Sequence, residues 1–196
     1  MTNILACEYV TQMKSSLLTP SSFFTHANIC FPIFDEPSFR TSYAAHKEKI
    51  SPALLCNLYA NSLIYWKNSP KLRAGRTPDI RFIWNQANEA LHSELFLSPG
   101  ISTLMSIIIN VCGRPSTSMF GNGGMVGTAV ALSNALGLNR DPSSWNISPL
   151  EKSLRTRIWW LVVIHDRWYE FMNIIQLIVA DKYKQVQLGL WDAAAN

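Results

Sequence analysis

A chain of 196 residues is long enough for one domain with a real core, or for a large piece of a bigger one. With 48% hydrophobic and only 15% charged residues it must bury most of its helices, which excludes extended disorder away from the ends. The net charge of +4 is scattered over Lys and Arg without a basic run, too weak and dispersed to argue for nucleic-acid binding.

The opening MTNILACEYVTQMKSSLLTP has an apolar start but no basic segment followed by a sustained apolar core, so it does not read as a signal peptide. The four cysteines, Cys7, Cys30, Cys56 and Cys112, follow no metal-ligand spacing and read as reduced, mostly buried thiols of an intracellular protein. His26 and Cys30 stand four apart, but without a second ligand pair they read as a buried thiol beside a half-exposed imidazole.

ALLCNLYANSLIYW, residues 53–66, sets Leu54, Leu55, Leu58, Leu63 and Tyr65 around Asn57 and Asn61, a helix buried over most of its circumference. The Pro- and Gly-rich stretch 69–78 marks a connection. IRFIWNQANEALHSELFL, 80–97, carries its apolar residues at offsets of three and four, an amphipathic helix. The three consecutive isoleucines of STLMSIIINVC favour strand, but its position between helices predicts helix. The apolar runs 101–112 and 158–164 fall short of the roughly 20 residues a membrane span needs.

GNGGMVG, 121–127, is the one phosphate-loop-like motif. No strand runs directly into Gly121, as a dinucleotide fingerprint requires, so the segment reads as a flexible connection between helices. A helix is predicted over 125–137, closed by Gly137 as a left-handed cap with Leu138 folding back. The next helix opens on Ser148 as N-cap, Pro149 at the first helical position and Glu151 as the far arm of a capping box. Its seam runs Leu150, Leu154, Ile158, Leu161, His165, Trp168. Trp159 with Val163, and Trp160 with Ile164, widen that seam, so the second half is expected to be enclosed nearly all round.

No nucleophile elbow, zinc-protease helix or catalytic carboxylate pair is present, and His92 and His165 each stand alone on a helix. The residues therefore offer no catalytic, cofactor or metal site. Glu151 and Arg155 form an ordinary surface pair four residues apart. Asp166 and Arg167 lie among apolar neighbours. A carboxylate there is costly unless paired, so Asp166 is expected to meet a cation, Arg140 or Arg157; the alternative is that it lies on a solvated strip.

FFTHANICFPIFDEPSFR, 23–40, resembles the opening of the regulatory "middle homology" domain of fungal binuclear zinc cluster transcription factors. An aromatic helix there leads into a signature carried here by Phe31, Pro32, Ile33, Phe34, Pro37, Ser38 and Phe39. Residues 131–168 are similar to that family's second signature. A helix ends in Gly137 and Leu138. Then come Arg140 and Asp141, Trp145, Glu151, an arginine run with Arg155 and Arg157, the pair Trp159 and Trp160, and Asp166–Arg167 before Trp168. Within the family the chain looks closest to regulators of nutrient use, such as nitrogen-catabolism and xylanolytic activators.

The resemblance implies an all-α, irregular multi-helix regulatory domain over 20–168, with 1–19 as an N-terminal extension and 169–196 as an unmatched tail. It implies control of DNA-templated transcription by RNA polymerase II in the nucleus, through a small-molecule inducer, self-association or contacts with co-regulators, and no membrane. The family's DNA reader holds two zinc ions in a six-cysteine cluster. These residues lack it, so DNA and zinc enter only through a segment not seen here. The family also continues past Trp168 into a G-R-P-like loop and more helices, absent from YEFMNIIQLIVADKYKQVQLGLWDAAAN, so the domain reads as incomplete at its C-terminal end with the seam on 150–168 partly uncovered. Two other readings stand beside this one: a helical interaction module that pairs with a full-length relative, and a nucleotide-dependent enzyme built on the 121–127 glycines.

Overall fold

The computed structural model describes residues 21–68, 73, 79–113 and 119–194. The extension read over 1–19 and most of the connection at 69–78 lie outside the described residues. What is described is all helical, without strand. In chain order the helices are α1 (Ser21–His26), α2 (Glu36–His46), α3 (Pro52–Ser62), α4 (Ile80–Leu97), α5 (Ile101–Gly113), α6 (Met119–Ala135) and α7 (Pro149–Ala194), with 3-10 turns at Lys47–Lys49 and Leu63–Asn68.

α3 is the axis of the core. Every residue from Ala53 to Leu63 is buried, so past the exposed Pro52 at its start the helix has no solvent face. It packs chiefly on α4 and α5, with α1 on another side; α6 lies on α5, and α7 on α6. The isoleucine run becomes part of α5, with Ile107, Ile108 and Ile109 buried. Neighbouring helices on both sides outweigh the strand preference of β-branched residues there.

Burying a helix all round forces its polar side chains to find partners inside. Asn57 of α3 is fully buried and accepts from Asn110 Nδ2 of α5 at 2.8 Å, and the same amide donates to Asn88 Oδ1 of α4 at 2.7 Å. Asn57 Nδ2 donates to the Ala53 carbonyl at 2.9 Å and, across the interface, to the Ala87 carbonyl at 3.3 Å. Three helices are thus registered by one chain of amides. Gly113 allows a close approach next to it: a Cβ there would stand 2.1 Å from Asn61 Nδ2 and 3.1 Å from the Trp84 ring.

Glu94 joins two helix starts. Its carboxylate accepts from Ser51, the N-cap of α3, and from Thr103 Oγ1 at 2.6 Å and Ser102 Oγ at 3.3 Å in the first turn of α5. Ser51 Oγ in turn accepts from Leu54 N, and Thr103 Oγ1 from Gly100 N.

The glycine-rich segment departs from its reading. Gly121, Gly123, Gly124 and Gly127 lie inside α6, which begins at Met119. Glycine costs a helix about 1 kcal/mol per residue relative to alanine. That cost is offset by packing, because Asn122, Val126 and Ala129 turn a buried stripe toward neighbouring helices. The cysteines also differ from expectation. Cys30 is exposed, and Cys56 is buried and disulfide-bonded.

Candidate functional site

The two sequence signatures meet in space. In the first, Phe23 and Phe24 of α1 stand edge-on to Phe34, and Phe34 packs at 4.8 Å on Phe39 of α2. Ile33 and Phe34 are buried; Pro32 and Pro37 are exposed. Asp35 caps α2 by accepting from Ser38 N at 3.1 Å, and Pro37 sits in the first turn where its missing N–H is harmless. Hydrogen bonds from Ser38 hold the Asp35 carboxyl below its ordinary pKa, and the charge of Arg157 adds to them.

Arg157 belongs to the second signature. Its Nη1 donates to the Pro32 carbonyl at 3.4 Å, and its Nε is buried without a hydrogen-bond partner among the described residues. Two turns further along α7, His165 brings its ring to 5.7 Å from Phe31. His165 Nδ1 faces the Leu161 carbonyl at 2.7 Å, which assigns it the ring proton. Nε2 is then an acceptor, and the Cys112 thiol of α5 donates to it at 3.0 Å.

The turn between α6 and α7 is clamped from both ends. Gly137 has φ +70°; its N–H donates to the Asn134 carbonyl and that of Leu138 to the Ser133 carbonyl, a complete Schellman end with Leu138 buried. Trp145 lies over Gly137, and the Arg155 guanidinium lies 5.3 Å from the centre of that indole. Ser148 accepts from Glu151 N at 3.1 Å as the N-cap of α7. The Glu151 carboxylate is engaged by Arg155 at 3.0 Å, so the far arm of the box is an ion pair four residues on. Asp141 accepts from both the backbone and the hydroxyl of Ser143, which keeps its pKa low.

Two expectations are corrected. Asp166 is half-buried and forms no ion pair among the described residues: Arg157 turns to Pro32, and Arg140 is exposed at the turn. A half-buried carboxylate at the edge of α7 keeps access to water and needs no cation. Arg167 pairs with Glu170 at 2.6 Å. The helix is also not enclosed all round: Ile158, Leu161 and Val162 are buried and Trp159 half-buried, whereas Trp160, Ile164 and Trp168 are exposed, because α5 and α6 cover one side only.

Residues 21–173 match the model of the fungal specific transcription factor domain. The chain belongs to that family. A transcriptional regulatory protein of Schizosaccharomyces pombe is 31% identical over 147 residues, covering 75% of this chain and 22% of the relative. The transcriptional activator protein DAL81 of Saccharomyces cerevisiae is 27% identical over 168 residues, 82% of this chain and 17% of the relative. The fusaridione A cluster transcription factor fsdR of Fusarium heterosporum is 27% identical over 160 residues, 75% and 29% respectively. The chain therefore spans less than a third of each of these regulators. No solved structure matches it.

As a fungal transcription factor domain, the molecule shows contacts suited to holding helices in register. Cys112 and His165 resemble a catalytic pair only in composition. Burial pushes the Cys112 thiol from its ordinary 9.0 up to about 12, so the reactive thiolate is suppressed. Among the described residues no three metal-ligating side chains cluster, and no helix is long and apolar enough to cross a membrane. The amides Asn57, Asn88 and Asn110, the Glu94 carboxylate and the Cys112–His165 contact escaped the sequence reading. Asn57 and Asn61, polar in an otherwise apolar helix, were the one visible signal of an internal polar network; nothing in the spacing joins Cys112 to His165.

Proposed function

We propose that these residues act as the regulatory domain of a fungal zinc cluster transcription factor. The domain tunes transcription by RNA polymerase II in the nucleus and responds to a small-molecule inducer, to co-regulators or to its own association. The observation that carries this reading is the junction of the two signatures, where Arg157 and His165 of α7 hold the Phe31–Pro32 segment within the stretch matched to the family. Such a junction lets an event on the α1–α2 side bias the position of α7. The four cysteines of the chain are fewer than a six-cysteine cluster requires, so DNA contact and bound zinc are assigned to a segment other than these residues.

The test is a fusion of residues 1–196 to a heterologous DNA-binding domain, assayed on an RNA polymerase II reporter in yeast. The expected result is an output that differs from the DNA-binding domain alone and is altered by Arg157→Ala. An output indifferent to the fused domain would reject the reading. The exposed apolar side of α7 favours a second reading, a module that works by pairing with a full-length relative; repression of that relative's target genes on overexpression would distinguish it.

A further inference from the structure

A recess of about 430 Å³ opens where α2, the 3-10 turn at Lys47–Lys49 and the first two turns of α3, α5 and α7 converge. Its inner lining is apolar. Phe34 and Phe39, whose rings pack at 4.8 Å, are buried there with Leu54, and Met105 of α5 and Leu154 of α7 complete it half-buried. All of these walls lie inside the stretch matched to the family. A space of this size is within the range of small-molecule sites and far above that of a single water.

The polar groups around the apolar lining divide into engaged and free. Ser51 and Ser102 both donate to Glu94. The Asp35 carboxylate accepts from the Ser38 amide and hydroxyl and has the charge of Arg157 nearby. Lys49 and Ser42, both exposed, have no ion pair or side-chain hydrogen bond among the described residues. With the acidic group already engaged, what remains is an ammonium and a hydroxyl beside an apolar hollow. That combination complements a molecule with an apolar body and one anionic group.

We infer that this recess binds a small monocarboxylic acid with an aryl or branched-alkyl body. The body lies against Phe34, Phe39 and Met105, and the carboxylate meets Lys49 and Ser42. Such an occupant touches both sides of the junction between the signatures, since Phe34 and Asp35 follow Pro32 in the chain and Leu154 stands one turn before Arg157 in α7. A bound acid therefore bears on the contact between Arg157 and Pro32. As an inducer site the recess rests on the regulatory reading above; as a binding site it does not.

The test titrates 4-phenylbutyrate and 4-methylpentanoate, and the neutral amide of each, into the 196-residue chain labelled at its methionine methyls, with Met105 assigned through Met105→Leu. Lys49→Gln removes the cation and Ser42→Trp fills the mouth. Both positions are exposed, so both variants should fold, which far-UV circular dichroism and a cooperative melt verify. The expected result is a saturable shift of the Met105 methyl resonance with at least one acid. Binding should weaken about tenfold for the amide and in Lys49→Gln, as loss of one charge-assisted hydrogen bond implies, and vanish in Ser42→Trp. No Met105 shift with either acid at about 10 mM, where any specific site would fill, overturns the inference. Equal affinity for acid and amide, unchanged binding in both folded variants, or shifts confined to other methionines do the same. The reporter assay is read separately: binding without an effect of the acid on output keeps the site and removes the inducer role. An output set by the fused domain with no acid bound keeps the regulatory reading and removes the site.

Discussion

Arg157 reaches across 125 residues of chain to donate to the carbonyl of Pro32 at 3.4 Å, tying the second signature to the first. Asp166, nine residues on in the same helix, has no comparable contact. Arg157→Ala is therefore expected to lower stability by about 1.5 kcal/mol, the low end for a hydrogen bond from a charged donor because the contact is long. Asp166→Ala should stay within about 0.5 kcal/mol of the parent, as surface changes do. Urea midpoints of the two variants check both, and a larger loss for Asp166→Ala would restore the buried-pair idea.

The glycines divide into two kinds. A Cβ at position 113 would stand 2.1 Å from Asn61 Nδ2, so Gly113→Ala should cost roughly 1–3 kcal/mol as overpacking. At Gly123, Gly124 and Gly127 a Cβ meets nothing within 4 Å inside a helix, so alanine should stabilise by about 0.5–1 kcal/mol at each. Thermal melts of the four single variants decide whether α6 is helical through its glycines; destabilisation at Gly127 would reject it.

Asn110 donates to both Asn57 and Asn88. Asn110→Leu leaves two acceptors without their donor and should cost about 2–3 kcal/mol. Asn57→Leu combined with Asn110→Leu should cost clearly less than the two singles added, since the pair shares one interaction. Strict additivity in a double-mutant cycle would break the network assignment.

The Cys112 thiol is raised from 9.0 to about 12 by burial, so the folded state disfavours the thiolate that the unfolded chain forms readily. A raised pKa gives stability that is whole below pH 9 and is lost progressively as pH climbs toward about 12. Cys112→Ala should flatten this alkaline decline in melting temperature. Burial also raises the Tyr59 hydroxyl, with Tyr43 adding to the shift, so part of the slope should persist. At neutral pH a thiol reagent should modify exposed Cys30 quickly and Cys112 only on unfolding.

What the sequence disclosed was mostly local chemistry. Ile80–Leu97 coincides with its predicted span, and Gly137 and Ser148 end and begin helices as expected, because caps depend on a few adjacent residues. The family signature located Arg157 and the helical seam located His165, but neither disclosed their partners. Cys112 and His165 lie 53 residues apart, and Asn57 and Asn110 are equally far apart, so their meeting depends on how helices pack. The 121–127 glycines misled because propensity is a small local term that a packed stripe overrides. The outward face of α7 misled for the opposite reason: apolar spacing marks a face to be covered without naming what covers it.

Glu94 gathers Ser51, Ser102 and Thr103 on a single carboxylate, and so binds the opening turns of α3 and α5 into one unit. Helix ends ordinarily fray one at a time, releasing their first amides to solvent. Here neither opening turn loosens without releasing hydroxyl partners of the other, so the amides of Leu54 and Leu104 should exchange with deuterium at matched rates and lose their protection together.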